Sequence, residues 1–391
     1  MAEHVNVSAL MSAMEELAPT RFAEPWDNVG LLLGSASEHL RGPVLLCIDL
    51  THAVLDEAST VGSSAIVCYH PPLFAPIKRL TSADARQALF LRAAREGIAL
   101  YSPHTALDAA PQGMADWLAD CCMEQGQPEH ADRRALLPSA VQDEHQQLKI
   151  VTYVPLADVE RVRNALATAG AGRIGEYEVC SFSMEGTGTF LGSSNTKPRV
   201  GSAEQLSHIS ECRLEMVCPK RALAIALATL REFHPYEEPA IDVIVLHPQP
   251  RRQIGVGRRL VLDKPVALRK LAMRLKVALG VRHVEVATAA DSAAADDTAG
   301  DATITCIGVC PGSGGELVDA AIAEQCQVLV TGEMKHHDVL AANMRGLSVI
   351  LAGHTRTERP YLAVLRDRLA ERMGPVQVLV SNADCDVLRT E

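Results

Sequence analysis

The chain has 391 residues, 48% hydrophobic and 22% charged, with 37 basic against 48 acidic side chains and a net charge of -11. That length and apolar content suffice for two or three domains with buried cores, while the acidic balance offers nothing to a phosphate backbone and argues against direct nucleic-acid binding. No run approaches the roughly 20 apolar residues of a membrane span.

The opening "MAEHVNVSALMSAMEELAPT" lacks the basic start and apolar core of a signal peptide, and Glu3, Glu15 and Glu16 argue against a transit peptide. It reads as an amphipathic first helix of a cytoplasmic protein. Residues 43 to 135 then alternate apolar runs with helical patterns: "PVLLCIDL", "THAVLDEAST", "SAIVCYH", "ADARQALFLRAARE", "GIALYSPH" and "GMADWLADCCM". This alternation predicts an α/β class fold with a mostly parallel sheet, and residues 1–135 form the first half of its core. After residue 123 the chain turns polar, and "EQGQPEHADRRALLPSAVQDEHQQ" reads as a linker.

A different rhythm follows. "LKIVTYVP", "LADVERVRNALATAG", "YEVCSFSMEGTGTF", "CRLEMVCP", "KRALAIALATLREF" and "AIDVIVL" give the order βαββαβ. Residues 148–247 are therefore expected to form an inserted ferredoxin-like α+β module. From 253 to 391 the α/β rhythm returns as a second half of the core. Its elements are a helix "PVALRKLAMRLKVALG", strands "HVEVAT" and "TITCIGVC", a helix "ELVDAAIAEQ", a strand "VLVTG", a helix "DVLAANMR", a strand "SVILAG", a helix "RPYLAVLRDRLAERM" and a strand "VQVLVS". The acidic stretch "AADSAAADDTAGDA" between the two first strands reads as a surface insertion. Eleven cysteines at irregular spacing, with no CxxC pair, are expected to be free thiols in a reducing compartment.

The polar residues that invite a function gather where apolar runs stop. His70 ends "AIVCYH", His104 ends "IALYSPH" with Asp108 on the same loop, His336 and His337 follow "VLVTGEMK", and His354 ends "VILAG". Ligands of open α/β sheets bind beyond the carboxyl ends of strands. A capping or surface imidazole is an adequate account of any one of these histidines, but not of four such loops together. If a helix starts near His354, Glu358 lies one turn on and the same face could carry both to one cation. Imidazole and carboxylate together suit zinc, iron or manganese.

Other clusters weigh less. "GVCPGSGGE" could hold an anion, but it lacks the ending of a P-loop and is read as a tight turn that needs glycine. Asp27 and Asn28 in "PWDNVG" could reach the site or build a turn. "HPYEEP", with His234, Glu237 and Glu238, tempts a second metal assignment and is read instead as an interface loop.

Five segments in order, "EPWDNVGLLLG", "YHPPLF", "SPHTALDAAPQG", "TGEMKHHDVLAA" and "GHTRTE", resemble the signatures of the Nif-three-like family, also called GTP cyclohydrolase 1 type 2 homologues. The match covers essentially the whole chain and is most like eukaryotic members. The module containing "GTGTF" and "HPYEEPAIDV" resembles the PII-like or CutA-like domain of longer members. The resemblance implies a dinuclear metal centre between two similar α/β halves, with His70, Asp108, His354 and Glu358 as ligands and Glu358 as the bridge. Tyr69 stands where many bacterial relatives have a second histidine, so either His104 substitutes or only one ion is held firmly. His336 and His337 are then outer or substrate-facing residues.

Two functions follow as expectations. A metal-dependent hydrolase, GTP cyclohydrolase-like or acting on another nucleotide-like small molecule, would use one or two divalent ions to lower the pKa of water, with His104 or His337 moving protons. An interaction protein would instead bind transcription-related protein partners with a structural metal and assemble as a homo-oligomer, a trimer or hexamer. A metal store would exchange its ion without accelerating hydrolysis.

Overall fold

The computed structural model describes residues 5–124, 132–139, 143–249, 251–289 and 302–388. It contains two compact units, Met1–Ser139 with Arg251–Glu391, and Ala140–Pro250.

The first unit begins with α1 (Val7–Leu17), β1 (Gly30–Leu33), β2 (Val44–Cys47), α2 (His52–Thr60), β3 (Ala65–Cys68), α3 (Ala85–Glu96), β4 (Ala99–Ser102), α4 (His104–Ala109) and α5 (Met114–Cys122). Local chemistry sets the helix ends. Asp84 accepts the Gln87 backbone N–H at the start of α3, and Gly97 closes that helix in the left-handed region at φ 66°. Two short strands follow, β5 (Asp132–Arg134) and β6 (Leu137–Pro138), inside the polar stretch expected to be a linker.

The second unit runs β7 (Leu148–Pro155), α6 (Val159–Thr168), β8 (Phe182–Leu191), β9 (Leu206–Cys218), α7 (Leu223–Phe233) and β10 (Ile241–Val245). Its sheet has the order β10-β7-β9-β8, and every pair is antiparallel. This is the split βαββαβ arrangement. One face of the sheet meets both helices, with Ile150, Val154, Leu214 and Met216 against Val162, Leu166 and Leu230.

The first unit then resumes with β11 (Gly255–Val256), β12 (Arg258–Ala267), α8 (Leu268–Leu279), β13 (Glu285–Ala287), β14 (Thr303–Ser313), α9 (Val318–Ala323), β15 (Val328–Glu333), α10 (His336–Met344), β16 (Ser348–Leu351), α11 (Tyr361–Met373) and β17 (Val378–Val380). The acidic insertion lies, from residue 290, outside the described residues.

Two sheets organise this unit. The first has the order β1-β4-β3-β2-β17, parallel except for β1. The second has the order β13-β16-β15-β14-β12-β5, with β14, β15 and β16 parallel and its outer strands antiparallel. Each sheet borrows an edge strand from the other half of the chain: β17 closes the first and β5 the second. Successive residues of the first sheet alternate between two cores, Val44, Leu46 and Val67 facing α1 and α11, and Leu45, Cys47 and Ile66 facing α2 and α3. Burial on both faces is why these strands read as continuous apolar runs.

Arg258 on β12 is 1% exposed. Its guanidinium donates to both Asp116 oxygens and to the Ala109 and Ala110 carbonyls at the end of α4. A buried charge needs this degree of pairing, and the pairing fixes the helix that carries His104 and Asp108. All eleven cysteines are free. No helix among the described residues is long and apolar enough to cross a membrane.

Candidate metal centre

The carboxyl ends of the parallel strands set the site. His70 lies just beyond β3 and His354 just beyond β16, and their ring centroids are 5.4 Å apart. A single 3-10 turn, Thr355–Thr357, joins His354 to Glu358, where the sequence suggested the start of an α-helix. The tighter turn still directs both side chains to one point, with His354 Nε2 3.3 Å from Glu358 Oε1. His70 Nε2 is 3.4 Å from Glu358 Oε2. Ligand atoms of His70, His354 and Glu358 all lie within 4.8 Å of one another, a possible metal-binding triad.

Each imidazole is held from behind. His70 Nδ1 is 2.9 Å from Asp49 Oδ1, and His354 Nδ1 is 3.0 Å from Glu333 Oε1. With Nδ1 held by these carboxylates, both Nε2 atoms face Glu358, the arrangement that orients histidine ligands on a metal once their Nε2 protons leave. In both cases the carboxylate precedes its histidine by 21 residues, one strand earlier in the same sheet. Parallel register explains the pairing: Cys47 opposite Cys68 places Asp49 beside His70, and Thr331 opposite Leu351 places Glu333 at the level of Gly353.

Glu358 is 2% exposed, and its Oε2 has no hydrogen-bond partner. The His70 Nε2 at 3.4 Å is an ion-pair contact looser than a hydrogen bond, and a buried carboxylate oxygen so weakly satisfied is costly. Gly312, at φ +63°, makes room for it, because a Cβ there would lie 2.5 Å from Glu358 Oε1 and 3.1 Å from His354 Nε2. The turn expected in "GVCPGSGGE" thus has a second reason for its glycine.

The electrostatics follow the geometry. Burial pushes the His70 imidazole down, but Asp49 and Glu358 outweigh it and hold the group up at about 10. Glu358 is the main cause that lifts His354 to about 9, with Glu333 adding to it. Burial raises the Glu358 carboxyl, and the two imidazoles more than reverse that, leaving it below the ordinary range.

Asp108, on α4, is electrostatically close to His104, Glu358 and His70, but burial dominates and raises it to about 7. Its Oδ1 accepts a hydrogen bond from the Tyr69 hydroxyl at 2.8 Å. Among the described residues, the group of ligand atoms within 4.8 Å of one another does not include Asp108. His104, at φ 28°, has its Nδ1 2.8 Å from Asp27 Oδ1 and its ring centroid 5.6 Å from that of His70. A histidine in the left-handed region is the kind of local strain that collects at functional sites. Asp27 also takes the Thr105 backbone N–H and bonds the Asn28 backbone, so it both builds a turn and orients His104.

His336 and His337 open α10, are exposed and meet edge to face with ring centroids 5.6 Å apart. Among the described residues, no hydrogen bond, ion pair or ring contact links His337 to the triad. The sequence reading named neither Asp49 nor Glu333, although both end apolar runs next to the strands carrying the histidines.

A buried carboxylate between two carboxylate-backed imidazoles, at the carboxyl ends of parallel strands, places the chain among α/β proteins with a candidate metal centre. It belongs to the Duf34/NIF3 (NGG1p interacting factor 3) family, whose model matches residues 5–386. It is 33% identical to the "GTP cyclohydrolase 1 type 2 homolog" of Mycobacterium leprae, covering 94% of this chain and 91% of that one. It is 32% identical to "NIF3-like protein 1" of Bos taurus, covering 98% and 92%. Among solved structures, a Bacillus cereus protein related to NIF3 superimposes over 100% of both chains, with a TM-score of 0.69 and 28% identity. A Staphylococcus aureus protein shares the fold over 100% of both chains at a TM-score of 0.79 and 24% identity.

Proposed function

We propose that this protein is a metal-dependent hydrolase acting on a nucleotide or related small molecule, with one divalent ion held by His70, His354 and Glu358. One observation carries the reading: two imidazoles, each fixed through Nδ1 to a carboxylate, aim Nε2 at a buried carboxylate whose Oε2 lacks a hydrogen-bond partner. The donor set of two nitrogens and a carboxylate fits zinc, iron or manganese. An ion bound there supplies Lewis acidity and the means to ionise water near neutral pH. Asp27 holds Nδ1 of His104, and that ring stands 5.6 Å from the ring of His70. Asp108, at about 7, gives or takes a proton within the working pH range. Three donors gathered at one point support a single ion. The name of the mycobacterial relative makes GTP the first substrate to try.

The test is elemental analysis of the purified protein beside a hydrolase panel that includes GTP. One ion per chain and a turnover abolished in folded Glu358→Ala are expected. Folded protein that takes up no divalent ion ends the proposal.

A second reading has its own observation. The inserted unit, read as PII/CutA-like, exposes Phe182, Met184, Leu191, Leu206 and Val245 on its strands. Apolar side chains gathered on one small sheet suit a closed homo-oligomer, a trimer or hexamer, and the acidic balance suits a basic protein partner. Sedimentation equilibrium decides it: assembly that is lost when Phe182 and Leu191 are changed to Asp supports this reading, and a monomer removes it.

A further inference from the structure

Beside the triad the structure leaves two large aromatic side chains in solvent. Trp26 is 57% exposed and Phe74 53%. Single exposed apolar residues are common, but these two form a pair, with ring centroids 5.8 Å apart and planes tilted by 52°. They also begin a continuous line of rings. Trp26 lies 6.2 Å from His104, His104 lies 5.6 Å from His70, and His70 lies 5.4 Å from His354. The pair thus sits at the solvent end of a path that finishes at the proposed metal ligands.

The backbone that carries the pair is restrained at several points. Pro25 precedes Trp26, and Pro71 and Pro72 precede Phe74, which limits the backbone at both places. The Asn28 side chain donates to the Leu73 carbonyl and so ties one segment to the other. Asp27, next to Trp26, is bonded to His104 and Thr105, and the Glu24 backbone N–H donates to the Thr105 hydroxyl at 3.0 Å. Exposed rings that pack on each other over a restrained backbone lose less freedom when a flat ligand covers them, which makes them efficient binders. At 5.8 Å and tilted, they cannot admit a third ring between them; each offers its outer face.

We infer that Trp26 and Phe74 form a stacking platform for the planar heteroaromatic ring of the substrate, a nucleobase, and so position the rest of that molecule toward His104 and the triad. The inference rests on the hydrolase reading for the substrate's presence at this site. Aromatic faces accept any base, and stacking of one base is worth about 1–3 kcal/mol, a factor of roughly 5 to 150 in affinity. Specificity for one base over another is not a property of such a surface.

The chain has two tryptophans, so Trp117→Phe leaves Trp26 as the sole indole reporter. Fluorescence of that full-length, zinc-loaded variant is titrated with GMP and with ribose 5-phosphate, which lacks the base. GMP is expected to quench Trp26 and ribose 5-phosphate to leave it unchanged, and Phe74→Ala is expected to weaken GMP binding about 5-fold or more. Calorimetry of the otherwise unaltered protein against Trp26→Leu gives the same comparison without touching Trp117. Equal responses to the two probes, or GMP affinity unchanged in both variants, overturn the inference. So does a Trp26→Leu protein whose oligomeric state shifts while its GMP affinity stays, because the patch is then an assembly surface. Zinc content read on the same samples separates the two claims: zinc bound without quenching removes only the platform, and quenching without zinc removes only the metal reading.

Discussion

His354 and His234 make an instructive pair, since each lies in a segment that combines imidazole with nearby carboxylates. At His354, Nδ1 is taken by Glu333 and Nε2 points at Glu358, so one nitrogen remains for a cation. In "HPYEEP", Nε2 of His234 is 3.1 Å from the Tyr153 carbonyl and Nδ1 accepts the Tyr236 backbone N–H at 3.1 Å. Both nitrogens are spent on the backbone, and burial pushes this imidazole down, toward its neutral form. Glu237 accepts the Lys197 backbone N–H instead of facing the ring. Composition is shared by the two places; a spare imidazole nitrogen belongs to the first alone.

The largest effect that sharpens this contrast is expected from Glu358→Ala. It removes the group on which both imidazoles converge, and zinc affinity measured by calorimetry should fall by more than the roughly 10–100-fold that loss of an outer partner costs. Gly312→Ala comes next. A methyl group 2.5 Å from Glu358 Oε1, on a backbone at φ +63°, should displace the carboxylate and lower stability by about 1–3 kcal/mol in denaturant melts, with weaker zinc binding alongside. Asp49→Asn leaves the triad in place but weakens the support of His70. A loss of zinc affinity of about 10–100-fold is expected, and circular dichroism should show the fold intact.

The pH dependence has a definite sign. His70 and His354 stand at about 10 and about 9, above the ordinary imidazole value near 6.5, so their protonated forms stabilise the metal-free fold fully below pH ~6.5. That contribution is lost as pH rises through 9 and 10. Zinc competes with the same protons. The melting-temperature gain on adding zinc should therefore widen between about pH 6 and pH 9, and a constant gap would break the link between the imidazoles and the ion. The smallest effect on metal is expected at His234→Ala: about 1–3 kcal/mol of stability lost from broken buried hydrogen bonds, with zinc affinity unchanged.

Much of this arrangement was legible because parallel strands buried on both faces leave long apolar runs, and the residues that end them stand out. His70, His104 and His354 were found that way, and Glu358 by its spacing from His354. Other features left no such mark. Strand β12 carries Arg258, Arg259, Asp263, Lys264 and Pro265, and reads as polar because Arg258 is satisfied by Asp116 and carbonyls from distant segments. Strand β5, "DRR", sits at a sheet edge, where Arg134 and Asp132 pair with Glu324 and Arg259. The return of β17 to the first sheet depends on tertiary pairing with β2, which no local pattern encodes. Asp49 and Glu333 were readable in principle: a carboxylate ending one parallel strand lies beside whatever ends its neighbour, and strand order supplies the rest.

The most direct test is calorimetric titration of zinc into the metal-stripped protein near neutral pH, with His354→Ala and His234→Ala titrated beside it. The account predicts one ion per chain, bound equally by the wild type and His234→Ala and lost in His354→Ala. Zinc uptake that survives in His354→Ala, or that disappears in a folded His234→Ala protein, would contradict it.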